Sequence, residues 1–311
     1  MLKPDKFSFK NMGLDIVGDI HGHGNDLINL LTKLGYDNSS GVFSHPDRKV
    51  IFLGDFIDRG SNQRLVLDTV IPMIENGSAF SVMGNHEFNA LAFHTYHNGT
   101  PLRPHNNKNI HQHSAFLDQI ASDDTYLEKV LDFFYSLPLY IDLGDLRIVH
   151  ACWHQDYISK LSTSLDEGRI NKELLVKAST KGAVEYEMVE TLLKGVEVKL
   201  PEDIYFADKD GFKRQNVRVE WWNHSTSVLN DLTIPSNIKF NQELTSSHKA
   251  QMLGYQPHLP PCFVGHYWKN GKPAPLANNL ACLDYSIAKG GKLVAYQWDG
   301  EQNLSESKFI Y

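Results

Sequence analysis

The stretch Leu14-Asp15-Ile16-Val17-Gly18-Asp19-Ile20-His21-Gly22 sets the reading of the chain. A short apolar run, Leu14–Val17, ends in a glycine and then in two side chains able to bind a metal ion. Directly after it, Asn25–Leu34 carries Leu27, Leu30, Leu31 and Leu34 at helical spacing, which gives a helix one apolar face. The same unit then returns. Lys49–Leu53 is a second apolar run ending in Gly54-Asp55, and Leu65–Ile74 again has helical spacing. Ala79–Met83 is a third run, ending in Gly84-Asn85. The order is β-α-β-α-β, which implies parallel strands joined by right-handed crossovers. In open α/β sheets the loops at the carboxyl ends of the strands carry the site. Three groups distant in sequence are therefore expected on one edge of one sheet.

Further along, residues 94–113 read as irregular and His-rich, followed by helical stretches near 114–121 and 125–136. Leu139–Leu143 turns at Gly144-Asp145 into Leu146–Val149, a hairpin that runs into His150. Residues 155–250 are more polar: 171–194 reads as helical, 216–221 as short strands and 223–250 as loop. Strands return at Cys262–Gly265, which ends at His266, then at Leu280–Leu283 and Lys292–Trp298. The expectation is a single domain over 1–311, with 155–250 as an insert or a lid over the core.

A chain of 311 residues, 41% hydrophobic and 22% charged, has the composition of a globular protein with a sizeable core. Its formal charge of −7 argues against tight non-specific binding to nucleic acid or to anionic lipid. An anionic substrate stays open, because bound cations would invert the local field. Three scattered cysteines, Cys152, Cys262 and Cys282, fit a reducing compartment. No run approaches the roughly 20 apolar residues that span a bilayer, and no signal-peptide-like run opens the chain. A cytoplasmic protein is expected, with neither membrane nor nucleic acid as partner.

The chemistry sits in Gly18-Asp19-Ile20-His21-Gly22, Gly54-Asp55-Phe56-Ile57-Asp58-Arg59-Gly60 and Gly84-Asn85-His86-Glu87. Singly, each reads as a polar loop; three Gly-ligand groups at three strand ends do not. A carboxylate can bridge two cations, and Asp55 is placed to do so. Mixed imidazole and carboxylate donors suit Mn, Fe or Zn better than Ca. Two such ions roughly 3.5–4 Å apart can clamp a phosphoryl group. His150 follows an apolar strand, and His266 repeats the strand-Gly-ligand form after Phe263-Val264-Gly265. Glu87 is read as an ordinary acid in the first turn of a helix, favoured there by the helix dipole.

Together these motifs resemble the phosphoprotein phosphatase family of metallophosphoesterases, which includes Ser/Thr protein phosphatases and bacterial diadenosine tetraphosphate hydrolases. Leu283-Asp284-Tyr285-Ser286 with Gly290-Gly291 is similar to a late stretch of that family, and the likeness covers 14–90, 139–154 and 262–298. It implies an α/β fold, a calcineurin-like sandwich of two mixed β-sheets flanked by helices. It implies two bound ions (Mn2+, Fe2+/3+ or Zn2+), the first held by Asp19, His21 and Asp55. The second would be held by Asp55, Asn85, His150 and His266. His86 would protonate the leaving oxygen, Asp58 would orient His86, and Arg59 would grip the phosphate through its planar fork. The implied reaction is direct attack of metal-bound hydroxide on a phosphomonoester or phosphoanhydride.

The implied substrate is a phosphorylated protein or nucleotide: a phosphorylated Ser, Thr or Tyr, with a dinucleoside polyphosphate as the alternative. A metal-binding scaffold without catalysis is the reading from another class; the full set of Asp58, Arg59 and His86 speaks against it. Two features depart from the family. Ala151-Cys152-Trp153-His154 follows His150 where small residues are usual, which sets a bulky Trp153 at the expected pocket rim. The family's second phosphate-binding arginine has no clean match. Arg218 is the candidate and Arg214 the runner-up, with an ion pair to Glu220 or another acid as the structural alternative for Arg218. In the His-rich stretch, Arg103 is a candidate for substrate binding, against a plain polar loop or a third metal site. Trp221-Trp222 reads as packing, and Tyr285 as a pocket residue by family position.

Overall fold

Side-chain parity sorts the first strand, β1 (Gly13–Val17), between two cores: Leu14 and Ile16 enter one buried cluster and Val17 another. The computed structural model describes residues 12–207, 213–223, 225–236, 238, 240–252 and 254–311. From β1, α1 (Gly24–Lys33) crosses to β2 (Arg48–Phe52), and α2 (Gln63–Glu75) crosses to β3 (Ala79–Ser81). Both strand pairs are parallel, with Leu14 opposite Lys49 and Phe52 opposite Ser81. Then come α3 (Asn85–His94), a small hairpin of β4 (Tyr96–His97) and β5 (Thr100–Pro101), α4 (Asn107–Gln119) and α5 (Asp124–Ser136). The expected hairpin is β6 (Tyr140–Asp142) with β7 (Arg147–Val149).

The middle of the chain holds α6 (Gln155–Leu161), α7 (Lys172–Ser179) and α8 (Val184–Lys194). After these helices come β8 (Glu197–Lys199), β9 (Phe206–Ala207), β10 (Lys213–Arg214), β11 (Asn216–Val219), β12 (Thr233–Ile234) and α9 (Ser246–Gln251). The last part supplies β13 (Cys262–Val264), β14 (Leu280–Cys282), β15 (Asp284–Tyr285), β16 (Lys292–Leu293), β17 (Ala295–Trp298) and β18 (Phe309–Ile310).

Two mixed sheets dominate. One runs β18-β17-β1-β2-β3, the other β14-β13-β7-β6. Leu14, Ile16, Ile51 and Leu53 of the first share a buried cluster with Ile148, Phe263, Ala281 and Leu283 of the second, so the sheets face each other. On the outer face of the first sheet, Val17, Val50 and Phe52 pack with Leu27, Leu30 and Leu31 of α1. The sandwich of two mixed sheets flanked by helices is the architecture that the family resemblance implies. Leu192, Leu193, Val217, Val219 and Trp221 belong to that same outer cluster, so the 155–250 segment packs on the core rather than hanging from it.

Three expectations need correction. Residues 94–113 are not irregular throughout: α4 starts at Asn107, capped by Asn106, whose side chain accepts from Asn109 N at 2.9 Å. Its buried face includes His113 and Phe116, and a histidine at an apolar position hides the helical period. The helical stretch 171–194 is two helices, broken near Gly182, whose φ is +90°. The 223–250 loop contains β12 and α9; positions 224, 237 and 239 of it lie outside the described residues.

Candidate active site

The strand ends converge as the sequence pattern requires. Asp19 and His21 follow β1, Asp55 follows β2, Asn85 follows β3, His150 follows β7 and His266 follows β13. Asp55 is at the centre. Its Oδ2 lies 3.4 Å from His150 Nε2, 3.7 Å from His21 Nε2 and 4.0 Å from His86 Nε2. Asn85 Oδ1 lies 3.2 Å from His150 Nε2, and Asp19 Oδ2 lies 4.0 Å from His21 Nε2 and accepts from His266 N at 3.1 Å. All six expected ligands are buried, and all six meet here.

The imidazoles are aimed by their far nitrogens. His21 Nδ1 donates to Ile57 O and His150 Nδ1 to Leu53 O at 2.7 Å, which leaves each Nε2 lone pair facing inward. The backbone bends to allow this. His21, Asp55, Asp58, Arg59 and His266 all have φ between +48° and +72°, the left-handed region that non-glycine residues enter rarely and mostly at functional sites. Glycines are needed where chains meet: a Cβ on Gly84 would stand 2.3 Å from Asp55 N, and one on Gly265 2.0 Å from Asp19 Oδ1.

The donor set fits divalent transition metals. Two trios, His21/Asp55/His86 and Asp55/His150/His266, each gather their ligand atoms within 4.8 Å and share Asp55. Asp19 Oδ1 and His266 Nε2 are buried and make no hydrogen bond among the described residues, which is what a ligand atom reserved for a cation looks like. The electrostatics agree. Burial opposes charge on Asp55, yet His150 and His86 hold its carboxyl well below the usual range. Burial likewise opposes charge on His150, but the Asp55 carboxylate beside it lifts its pKa to about 10. Surroundings that favour a proton there favour a cation in its stead. Burial, then His86, brings His21 down to about 3, and burial with Arg218 pushes His266 well down.

Beside the ligands, His86 Nδ1 donates to Asp58 Oδ2 at 2.5 Å. The expected pair is thus formed. Gln63 holds the Asp58 loop, accepting from Asp58 N at 2.8 Å and donating to Gly60 O at 2.7 Å. Glu87 departs from its reading as an ordinary acid of the first helical turn. It is fully buried and accepts from the amides of Asp55, Phe56 and Gly84 at 2.8, 2.8 and 3.0 Å, tying the second motif to the third. Burial, with the Asp55 charge added, brings its pKa up to about 7. Nothing in the sequence pointed to Gln63; Glu87 was visible in its motif, but burial is a tertiary fact.

A cavity of about 1030 Å³ opens over Asp55, Asn85, His86 and His266. Arg59, Arg103, Arg214 and Arg218 all line it, as do Lys194, Glu197, Phe206 and Asn216. Arg103 is held by neutral amides, Asn89 Oδ1 at 2.8 Å and Gln112 Oε1 at 2.9 Å, so no carboxylate cancels its charge directly. Arg218 has a loose ion pair, 3.8 Å, with Glu197 rather than Glu220. Two pocket expectations fail. Trp153 is buried against Tyr140 with Arg147 over its ring, away from the cavity wall. Tyr285 packs between the sheets, its Oη accepting from Ala274 N at 2.9 Å.

This sandwich, with its candidate ligands at strand ends, is the arrangement of a known class. The chain belongs to the calcineurin-like phosphoesterase family, whose model matches residues 12–241. It is 33% identical over 152 residues to a bis(5'-nucleosyl)-tetraphosphatase PrpE of Geobacillus sp. (strain WCH70), which covers 48% of this chain and 61% of the relative. A protein of the same name from Halalkalibacterium halodurans is 41% identical over 76 residues, 24% of this chain and 31% of the relative. The matched stretch thus spans less than two thirds of these relatives' length. Among solved structures, a cold-active protein-tyrosine phosphatase of a Shewanella species shares the fold. Its TM-score is 0.50 at 15% identity, over 93% of this chain and 79% of that one.

Proposed function

We propose that the chain is a metal-dependent hydrolase of phosphoric esters and anhydrides, with dinucleoside polyphosphates as its preferred substrates. The observation that carries the reaction class is Asp55 Oδ2, ringed by three imidazole nitrogens at 3.4–4.0 Å and shared by both ligand trios. Asp19, His21 and Asp55 would hold one ion; Asp55, Asn85, His150 and His266 the other, with Mn, Fe or Zn suited to these donors. Bound there, the ions would supply Lewis acidity toward the phosphoryl group and a water nucleophile.

The chain's own residues do the rest. Arg59, at the cavity wall beside Asp58, holds a non-bridging phosphoryl oxygen. As the bond from phosphorus to the leaving oxygen breaks, the Nε2–H of His86 passes its proton to that oxygen. Asp58 keeps the His86 Nδ1–H in place and stabilises the charged ring. Arg103, Arg214 and Arg218, more cation than one phosphoryl group requires, suit a chain of phosphates; the names of the sequence relatives support the same substrate class. The 155–250 segment acts as the lid whose inner face carries Arg214 and Arg218. The proposed compartment is the cytoplasm. Three buried free cysteines support that, and no helix of the described residues is long and apolar enough to cross a membrane.

The test uses chelator-stripped protein with and without Mn2+, on p-nitrophenyl phosphate, bis-p-nitrophenyl phosphate, a phosphopeptide and diadenosine tetraphosphate. Metal-restored turnover with the highest kcat/KM on the tetraphosphate is expected. Preference for the phosphopeptide would overturn the substrate class, and no turnover on any substrate despite bound metal would overturn the reaction class.

A further inference from the structure

The carboxylate of Asp58 serves two histidines. Its Oδ2 takes the Nδ1–H of His86 at 2.5 Å, and its Oδ1 takes Nδ1 of His113 at 2.8 Å. Asp58 is 3% exposed, and burial opposes its charge; the bonds from His113 and then His86 hold its pKa well below the usual range. His113 comes from α4, 55 residues away in sequence. It is buried, stacked on Phe116 at 4.5 Å and 15°, and set against Phe93 at 5.2 Å. Its Nε2 is buried and makes no hydrogen bond among the described residues. A carboxylate only accepts, so His113 is in the tautomer that donates from Nδ1.

A histidine in an apolar stack, with one nitrogen left without a partner, is an expensive way to fill space. A phenylalanine would pack there without that cost. What His113 adds is one N–H, delivered to the free oxygen of the carboxylate that orients His86.

We propose that His113 is a positioning residue for proton delivery by His86. It pins the plane of the Asp58 carboxylate through Oδ1, so that Oδ2 holds His86 Nδ1 with Nε2 turned to the reacting phosphoryl group. The inference rests on the assignment of His86 as the group that protonates the leaving oxygen. Two consequences separate it from simple packing. Proton delivery matters most when the leaving oxygen is basic, so loss of His113 slows phenyl phosphate more than p-nitrophenyl phosphate. The needed atom is a donor at the Nδ1 position, which the amide nitrogen of Asn imitates and that of Gln does not.

The experiment compares His113→Phe, His113→Asn, His113→Gln and His86→Asn, all loaded with Mn2+ and checked for metal content. The ratio of kcat on phenyl phosphate to kcat on p-nitrophenyl phosphate is the readout. His113→Phe and His113→Gln are expected to lower this ratio on the order of 10-fold, the worth of one charge-assisted hydrogen bond. His113→Asn should recover most of it. In chelator-stripped protein, long-range 15N–1H spectra of the histidines should show the His86 Nδ1–H exchanging faster in His113→Phe than in His113→Asn. If His86→Asn lowers the ratio and His113→Phe does not, His113 only packs and the inference is wrong. If His86→Asn itself leaves the ratio unchanged, the assignment of His86 is what fails.

Discussion

The substitution Trp221→Phe tests whether the 155–250 segment and the strands that carry the candidate site are one structure. Trp221 is 2% exposed and lies just after β11. Its indole N–H reaches Tyr267 Oη at 2.8 Å and Ala151 O at 3.1 Å. Ala151 follows His150 and Tyr267 follows His266, so one side chain from 155–250 touches the backbone next to one ligand and the side chain next to another. Phenylalanine keeps most of the packing but leaves a void where the pyrrole ring was, at about 1–2 kcal/mol. The lost N–H bonds remove about 1 kcal/mol more. No partner is orphaned, since Tyr267 Oη still donates to Ala151 O at 3.0 Å. The expected loss is about 2–3 kcal/mol. It would be read from urea unfolding of chelator-stripped protein, followed in parallel by tryptophan fluorescence and far-ultraviolet dichroism. A loss below about 0.5 kcal/mol, the scale of ordinary surface changes, refutes the packing argument. Two separated transitions in the parent protein refute the idea that 155–250 unfolds with the core.

Other consequences are as direct. Asp55→Asn should bind at most one equivalent of Mn2+ by elemental analysis where the parent binds two; two equivalents retained would remove Asp55 from its bridging role. Glu87→Ala leaves three buried amides without their acceptor and should cost about 3–5 kcal/mol in denaturant unfolding, whereas Glu128→Ala on the exposed side of α5 should cost little. Arg103→Gln should raise KM for diadenosine tetraphosphate about 10-fold and change KM for p-nitrophenyl phosphate less, since that substrate carries a single phosphoryl group. Burial, then the neighbouring His113, lowers the pKa of His94 from 6.5 to about 4. The unfolded chain therefore takes up this proton first. The His94 contribution is intact above pH 6.5 and is lost as pH falls through 4, so stability should drop across that window and drop less in His94→Gln.

The meeting of the candidate ligands was legible because each sits at a place that chain order alone defines. A parallel sheet presents the ends of β1, β2 and β3 on one edge, so Asp19, Asp55 and Asn85 had to meet once those strands were recognised. His150 and His266 followed from the same rule on the second sheet, where β7 and β13 are neighbours. The residues that hold the site were not legible in this way. Glu87 occupies the first turn of α3, where an exposed acid would look identical from sequence. Gln63 and His113 act across 5 and 55 residues on the same Asp58, and no periodicity encodes such a contact. Trp153 shows the reverse error: a bulky residue beside a ligand invited a functional reading, while its ring points into the core. Adjacency in sequence to a strand-end ligand is informative only when the strand direction also turns the side chain toward the cavity.

Charge is a second property whose placement an average does not show. A net −7 says that the molecule as a whole repels polyanions. The cavity says otherwise: Arg59, Arg103, Arg214 and Arg218 are gathered at one mouth, from loops and strands on both sides of it. Two of them keep their charge available by different means. Arg103 spends its N–H groups on neutral amides, and Arg218 has one acid at 3.8 Å, too long for a close ion pair. At about 8–10 Å of screening in physiological salt, an anion entering the mouth responds to these residues rather than to acids on the far surface.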